Sequence, residues 1–384
     1  MRAKPRILIV GAGIAGLAFA ASLERFEITP TVVEIADASL SRGVALMLTS
    51  NVAHALRRVG LDRVVIDRGV VLERIVHTDP GGHPIDDDLD LRPSNARYGP
   101  NLGITRDGLM SGLSSATRAQ IRHSTTITSL AATGTEPEVV FSDGTRGEFD
   151  LVVGADGINS GVRSTLFPEV EPAYRRFCAW RTIVDCSDCD PVFRLSSTNG
   201  CFLGTFPVGP NLVYAFLLAH FADAPAFSRD GHLATFRDLA GQFHGEVARL
   251  IQQRQDPTGV IFVPVREVAT PSYHRGRVAL IGDAAHAFPP LLAQGGAMAV
   301  EDAVALAESL GESDGVDQAL RSYEARRRPR VEMIRAAVRR RSIARGMEGP
   351  VTPELLSEHP PVFSASLKVF EELIEDPFSA GDRN

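Results

Sequence analysis

Three glycines, two carboxylates and one bare helix start have the types and spacing to do chemistry. Gly11, Gly13 and Gly16 form a GxGxxG directly after the apolar run Ile7 to Val10. Ile14 and Ala15 lie inside that turn, and Leu17, Ala20, Ala21 and Leu23 continue it at helical spacing. A second apolar run ends at Glu34. In a strand–turn–helix–strand unit the first glycine makes the tight turn, and the second admits backbone N–H groups to a pyrophosphate. The third lets helix lie on strand, and the acid binds ribose hydroxyls. A carboxylate at the ribose position repels a 2′-phosphate, so NADP is disfavoured and NAD and FAD remain. Far downstream, "RVALIGDAAHAFPPLLAQGGAMAVEDA" ends an apolar strand in Gly282-Asp283. After a proline-broken loop it opens a helix at Gln294-Gly295-Gly296-Ala297. A helix start offers unsatisfied donors and about half a positive charge, which suits an anion.

These residues need a frame. Phe149 to Val153 reads as another buried strand, ending in Gly154-Ala155-Asp156-Gly157, with Ser160 and Arg163 following at helical spacing. Asp143-Gly144 signals a hairpin just before it. Residues 171–270 break the βαβ rhythm. "RFCAWRTIV", "CFLGTF" and "NLVYAFLLAHF" read as antiparallel strands, with turn signals at Asn199-Gly200 and Gly209-Pro210-Asn211. Tyr214 and Phe216 share one face of the last strand. That face either lines a pocket or packs against helices.

Gly11-Ala12-Gly13-Ile14-Ala15-Gly16, then "GADGINSGVR", then "GDAAH…QGGAMAVEDA", in that order and spacing, resemble the class A flavoprotein monooxygenases, the single-component FAD-dependent aromatic hydroxylases. The resemblance covers roughly residues 5–345. It implies an α/β fold: a Rossmann-like FAD-binding domain of the GR2/p-hydroxybenzoate-hydroxylase type, an inserted, mostly antiparallel β substrate domain, and C-terminal helices. Residues 1–74, 98–170 and 271–345 would form the discontinuous FAD-binding domain, residues 75–97 and 171–270 the substrate sheet, and 346–384 a C-terminal helical segment. It implies noncovalent FAD, NAD(P)H as transient electron donor, and O2, with hydroxylation through a C4a-hydroperoxyflavin. The lack of a second GxGxxG after residue 16 agrees with transient nicotinamide docking.

By that resemblance Asp283 binds a ribityl hydroxyl, and Gly295, Gly296 and Ala297 aim N–H groups at the flavin edge. Ala293 stands where the family has glycine. Arg106, opening "TRDGLMSGL", lies by the pyrophosphate, while Arg42, Gly43 and Asp156 approach the cofactor. The loop Phe288, Pro289, Pro290, Leu291, Leu292 carries no charge and would keep water from the reaction. It predicts a mainly apolar, aromatic substrate, because a multiply charged one would leave its groups unpaired. Tyr214, His220, Arg181 and His286 are the polar candidates for catalysis, with Tyr214, Arg181 and His286 preferred, and Tyr214, Phe216, Phe288, Pro290, Leu291 and Leu292 those for substrate contact. For His286 a structural role beside the cofactor is the competing reading. A urate-hydroxylase-like enzyme, another flavin oxidoreductase, and a flavin protein that holds an aromatic ligand without turnover are the alternatives. The single tryptophan, Trp180, disfavours a flavin halogenase.

Composition narrows the rest. The 384 residues are 44% hydrophobic, enough for a large core, and the net charge of −7 argues against general nucleic-acid affinity. Ten arginines between Arg321 and Arg345 are a local exception. Glu324 and Glu332 interleave with them and Val331, Ile334 and Val338 keep an apolar stripe, so a solvated helix face is expected. Cys186 and Cys189 form a CxxC without a second pair or a nearby His cluster, so no metal site is expected. A reduced, cytoplasmic monomer or homodimer is the expectation. The basic residues before the first apolar run mimic a secretory signal, but Gly11, Gly13 and Gly16 already have a purpose in the nucleotide turn. No other stretch is long and apolar enough to span a membrane.

Overall fold

The structure is a computed structural model, described over residues 4–38, 44–85, 88–131, 136–187, 190–198, 200–226 and 228–344. Arg42, Gly43, Cys189, Asn199 and residues 346–384 lie outside the described residues.

The strand Ile7–Val10 is buried along its whole length and pairs in parallel with Leu151–Gly154 on one side and Thr31–Val33 on the other. Val278–Leu280 pairs in parallel with Leu151–Gly154 in turn. The short strands Ile121–Arg122 and His274–Arg275 complete a six-stranded sheet. Parallel strands leave a sheet at the same edge. The turns after Val10, Gly154 and Leu280 therefore open side by side, although more than 100 residues separate each from the next. Gly11 has φ +104°, and a Cβ on Gly16 would lie 1.9 Å from the Gly11 carbonyl oxygen. The helix Ile14–Leu23 thus sits against the strand turn as closely as backbone allows. The helix Gln294–Glu312 packs against it.

The second large sheet has seven strands, in the order Ile261–Glu267, Ala173–Asp185, Leu212–His220, Cys201–Gly209, Val192–Thr198, Arg74–Thr78, Leu89–Asp90. Its pairings are antiparallel except that between Val192–Thr198 and Arg74–Thr78. One face packs on the helices Arg229–Ala240 and Glu246–Gln253. At its centre is the fully buried Trp180, whose indole N–H donates to the His232 carbonyl at 2.8 Å. A small sheet of Ala45–Leu48, Leu102–Thr105 and Val70–Val71 joins the two halves. A Cβ on Gly103 would stand 2.0 Å from the Pro207 carbonyl oxygen, so the joint is backbone against backbone. The architecture is the expected mixed α/β fold with an inserted, mostly antiparallel sheet. Among the described residues no helix is long and apolar enough to cross a membrane.

The arginine-rich helix, Val316–Ala344, departs from expectation. Val331, Ile334 and Val338 are buried, but so are Arg327 and Arg330. Arg327 donates to Asp302 and Glu301, each at 2.7 Å, and Arg330 donates to Glu301 at 3.1 Å. Glu301 and Asp302 are fully buried, and unpaired charges there would be prohibitive. Arginine, always charged and rich in directed donors, is the residue that can neutralise two such carboxylates. Part of the supposed solvated face is therefore the inner half of an ion network.

Candidate active site

A cavity of about 390 Å³ opens where the parallel sheet's edge meets the inner face of the seven-stranded sheet. Its first wall is backbone. Gly13, Ile14 and Ala15 start one helix, and Gly295 and Gly296 start another; Ala155, Gly157, Ile281 and Asp283 complete the wall. The first N–H groups of each helix lack partners within the helix. A Cβ on Gly13 or on Gly295 would meet nothing closer than 4.0 Å, so open space lies directly over those amides. Gly11 and Gly16 do not line the cavity and serve the turn itself. Ala293 caps the second helix at φ +54°, the left-handed conformation that glycine adopts without strain.

Asp283 projects from the strand turn into this space. Its side chain is exposed, but to the cavity, and it makes no hydrogen bond with the described residues. Desolvation by the surrounding protein pushes its carboxyl above the ordinary range, against the pull of His286, Arg181 and Arg106. Arg106 begins a helix capped by Thr105, whose hydroxyl accepts from the Gly108 amide at 3.1 Å. Burial lowers the Arg106 guanidinium pKa, Asp283 opposes that, and Arg181 reinforces it. Two donor-rich helix starts, glycine-cleared space and a carboxylate without a donor fit an extended ligand bearing phosphates and hydroxyls.

Other residues singled out in the sequence stand apart from the cavity wall. The Glu34 carboxylate accepts from the Ala12 amide at 2.9 Å and the Ala36 amide at 2.8 Å, so it also braces the glycine turn. Asp156 accepts from the Val162 amide at 3.2 Å, and its other oxygen is buried without a hydrogen-bond partner among the described residues. Burial raises its pKa against the hydrogen bonds from Ser160, Val162 and Gly161. Ala297 is fully buried within its helix. His286 is withdrawn from the cavity altogether. It is 1% exposed and its Nε2 lies 2.6 Å from Asp302, which also accepts from the Gly282 amide at 2.8 Å. Held there, His286 does not line the cavity, the placement that the structural reading of this residue expects. The network orients the Gly282–Asp283 turn instead. It extends through Glu301 to Asn51, which donates to Glu301 at 2.6 Å and to Gln294 at 3.2 Å. One ion cluster thus ties the Asp283 turn to the helix start at Gln294.

The second wall is the inner face of the seven-stranded sheet, which presents Arg181, Tyr214 and Phe216 to the cavity. Arg181 and Phe216 are cross-strand partners. The Arg181 guanidinium and the Tyr214 hydroxyl make no hydrogen bond or ion pair with the described residues. Burial raises the Tyr214 pKa, and Arg181 pulls it back only in part. Tyr214 is therefore a neutral donor and not a base near neutral pH. Phe288, Pro290, Leu291 and Leu292 form the loop wall, with Leu292 6% exposed and set in the core and Leu291 more open. Sequence reasoning missed Phe193, Leu195 and Phe206 on this wall. The alternation in "VFRLSST" was the available signal, but only strand pairing tells which face looks inward.

Comparison with known proteins agrees with this geometry. Residues 4–338 match the FAD binding domain family. The chain is 33% identical over 364 residues to 3-amino-4-hydroxybenzoate 2-monooxygenase of Streptomyces platensis, covering 90% of this chain and 88% of that one. It is 32% identical over 336 residues to 2-heptyl-3-hydroxy-4(1H)-quinolone synthase of Pseudomonas aeruginosa (strain PAO1), covering 86% of each. The crystal structure of Klebsiella pneumoniae HpxO with FAD and uric acid superposes with a TM-score of 0.81 at 25% identity, covering 97% of this chain and 93% of that one. The chain therefore belongs to the FAD binding domain family and is an FAD-dependent monooxygenase of the aromatic-hydroxylase class.

Proposed function

We propose that the protein uses NAD(P)H and O2 to hydroxylate a mainly apolar aromatic small molecule that binds against the sheet wall of the cavity. The observation that carries this reading is the two-sided cavity: backbone donors and Asp283 on one wall, Arg181 and Tyr214 among aromatic side chains on the other. FAD, when bound, supplies the redox chemistry, taking two electrons from NAD(P)H and activating O2 so that one oxygen atom enters the ring and the other leaves as water. The chain's own residues bind, orient and exclude water. The amides of Gly13, Ile14 and Ala15 would hold the pyrophosphate with Arg106 beside it. Glu34, whose two oxygens keep lone pairs beyond their amide bonds, would take the ribose. Asp283 would take a ribityl hydroxyl, and the amides at Gly295 and Gly296 would face the edge of the flavin that becomes anionic on reduction.

On the substrate side, no lining residue can act as a base near neutral pH other than Asp283, which is assigned to the cofactor. Activation of the ring then falls to Arg181, whose charge favours the ionised form of a ring hydroxyl, while Tyr214 donates a hydrogen bond to orient it. The apolar loop keeps water away from the reaction. A purine is disfavoured, because Phe193, Leu195, Phe206 and Phe216 offer no partners to its polar edges. The test is direct. Purified protein should release FAD on denaturation, and NAD(P)H consumption should accelerate on adding a hydroxylated aromatic, with oxygenated product formed. Arg181→Gln should raise the pH at which turnover reaches its plateau. Ligand binding that never stimulates NAD(P)H oxidation would sink the enzymatic reading.

A further inference from the structure

We infer that the substrate is elongated: an aromatic ring with one acidic or acceptor group, bearing an unbranched apolar chain or a second apolar ring. This rests on the hydroxylase reading and names the class of molecule it takes. The direction in which the cavity runs across the sheet carries the argument. Directly paired residues on neighbouring strands share a face. Arg181 on Ala173–Asp185 is followed, strand by strand, by Phe216 and Tyr214, then Phe206, then Phe193 and Leu195, then Ile75, and last Leu89. All of these line one cavity. At the usual strand spacing, the five steps from the first strand to the last span about 24 Å. A single ring fills only a fraction of that length.

The two ends differ in chemistry. Arg181 acts electrostatically on both Asp283 and Arg106, so its end adjoins the cofactor wall. At the other end Ile75, Leu89, Phe193 and Leu195 face Ala45 and Met47 from the small sheet, and none of these is charged; the cavity's third arginine, Arg341, comes from the helix Val316–Ala344. A groove polar at one end and apolar at the other orients an amphipathic ligand with its polar group at Arg181. Gly204 helps to keep the passage open. A Cβ there would lie 2.2 Å from the Phe216 ring, so the bare backbone lets that ring lie down on the sheet.

The experiment titrates the FAD-loaded protein with 4-n-alkylphenols, from methyl to octyl, following flavin fluorescence. Affinity should rise roughly threefold or more per methylene and then level off where the chain reaches Leu89. Leu89→Trp should bring the plateau in by several carbons, with the long-chain phenols losing far more affinity than 4-methylphenol. Leu89→Phe, a smaller addition on the two-residue edge strand, should move it the same way by less. Affinity independent of chain length, or a plateau that neither variant moves, overturns the elongated substrate and leaves the hydroxylase reading standing. FAD-loaded protein that responds to no phenol overturns both.

Discussion

At the scale of single residues, the two carboxylates assigned to the cofactor differ in what else they hold. Asp283 has no hydrogen bond to lose among the described residues, and the protein enclosing the cavity already disfavours its charge by desolvation. Asp283→Ala should therefore weaken FAD binding about ten- to hundredfold, the cost of one charged hydrogen bond, without lowering the melting temperature of the apoprotein. Glu34→Ala removes the acceptor for two amides, so it should weaken FAD and destabilise the apoprotein together. Calorimetry on both apoproteins alongside FAD titration separates the cases, and equal melting losses would refute the distinction. The adjacent leucines of the loop divide similarly. Leu291→Asp puts a carboxylate and its water into the cavity, and should raise hydrogen peroxide released per NAD(P)H consumed in protein that still holds FAD. Leu292 sits in the core, so Leu292→Asp should instead cost several kcal/mol of stability. A Leu291→Asp protein as tightly coupled as wild type would show that the loop does not guard the reaction.

At the scale of elements, the helix Gln294–Glu312 does two jobs at two heights. Its first turn faces the cavity, and its third carries Glu301 and Asp302 into the ion network. Burial alone raises both carboxyls. Arg330 and Arg327 outweigh it at Glu301, as do His286 and Arg327 at Asp302, so both end below their ordinary values. A carboxyl depressed in the folded state stabilises the fold above its unfolded pKa, near 4, and loses that contribution as pH falls through the folded value. The protein should therefore lose stability steeply on acidification below about pH 4. Asp302→Asn should cost about 3 kcal/mol near neutral pH and flatten the acid limb. Denaturant melts from pH 7 to pH 3 check both, and parallel curves for the two proteins would show that Asp302 is not the titrating group. The arginine-rich helix was legible as an amphipathic helix from Val331, Ile334 and Val338. The burial of Arg327 was not, because its partners lie about 25 residues away on another helix and charge carries no periodic signature.

At the scale of the whole molecule, function depends on holding two sheets at a fixed separation, and Gly103 against Pro207 sets part of that distance. Gly103→Ala drives a methyl into a carbonyl oxygen. It should cost about 1–3 kcal/mol and weaken aromatic ligands more than FAD, whose wall lies on the other side. Matched titrations of FAD and an alkylphenol test this, and equal losses would place the joint outside the substrate wall. The sequence by itself determined the glycine turn, the strands that run into Gly154 and toward Gly282, the antiparallel insert and the family. Those features are local: a turn needs its glycine, and a buried strand needs its apolar run, wherever the rest of the chain lies. Only the tertiary structure decided which face of Leu212–His220 looks into the cavity and that Phe193, Leu195 and Phe206 join Tyr214 there. It alone showed that His286 turns away into an ion cluster. Each of those outcomes depends on pairing register or on a partner far off in sequence, and a period-two strand reads equally well with either face turned inward.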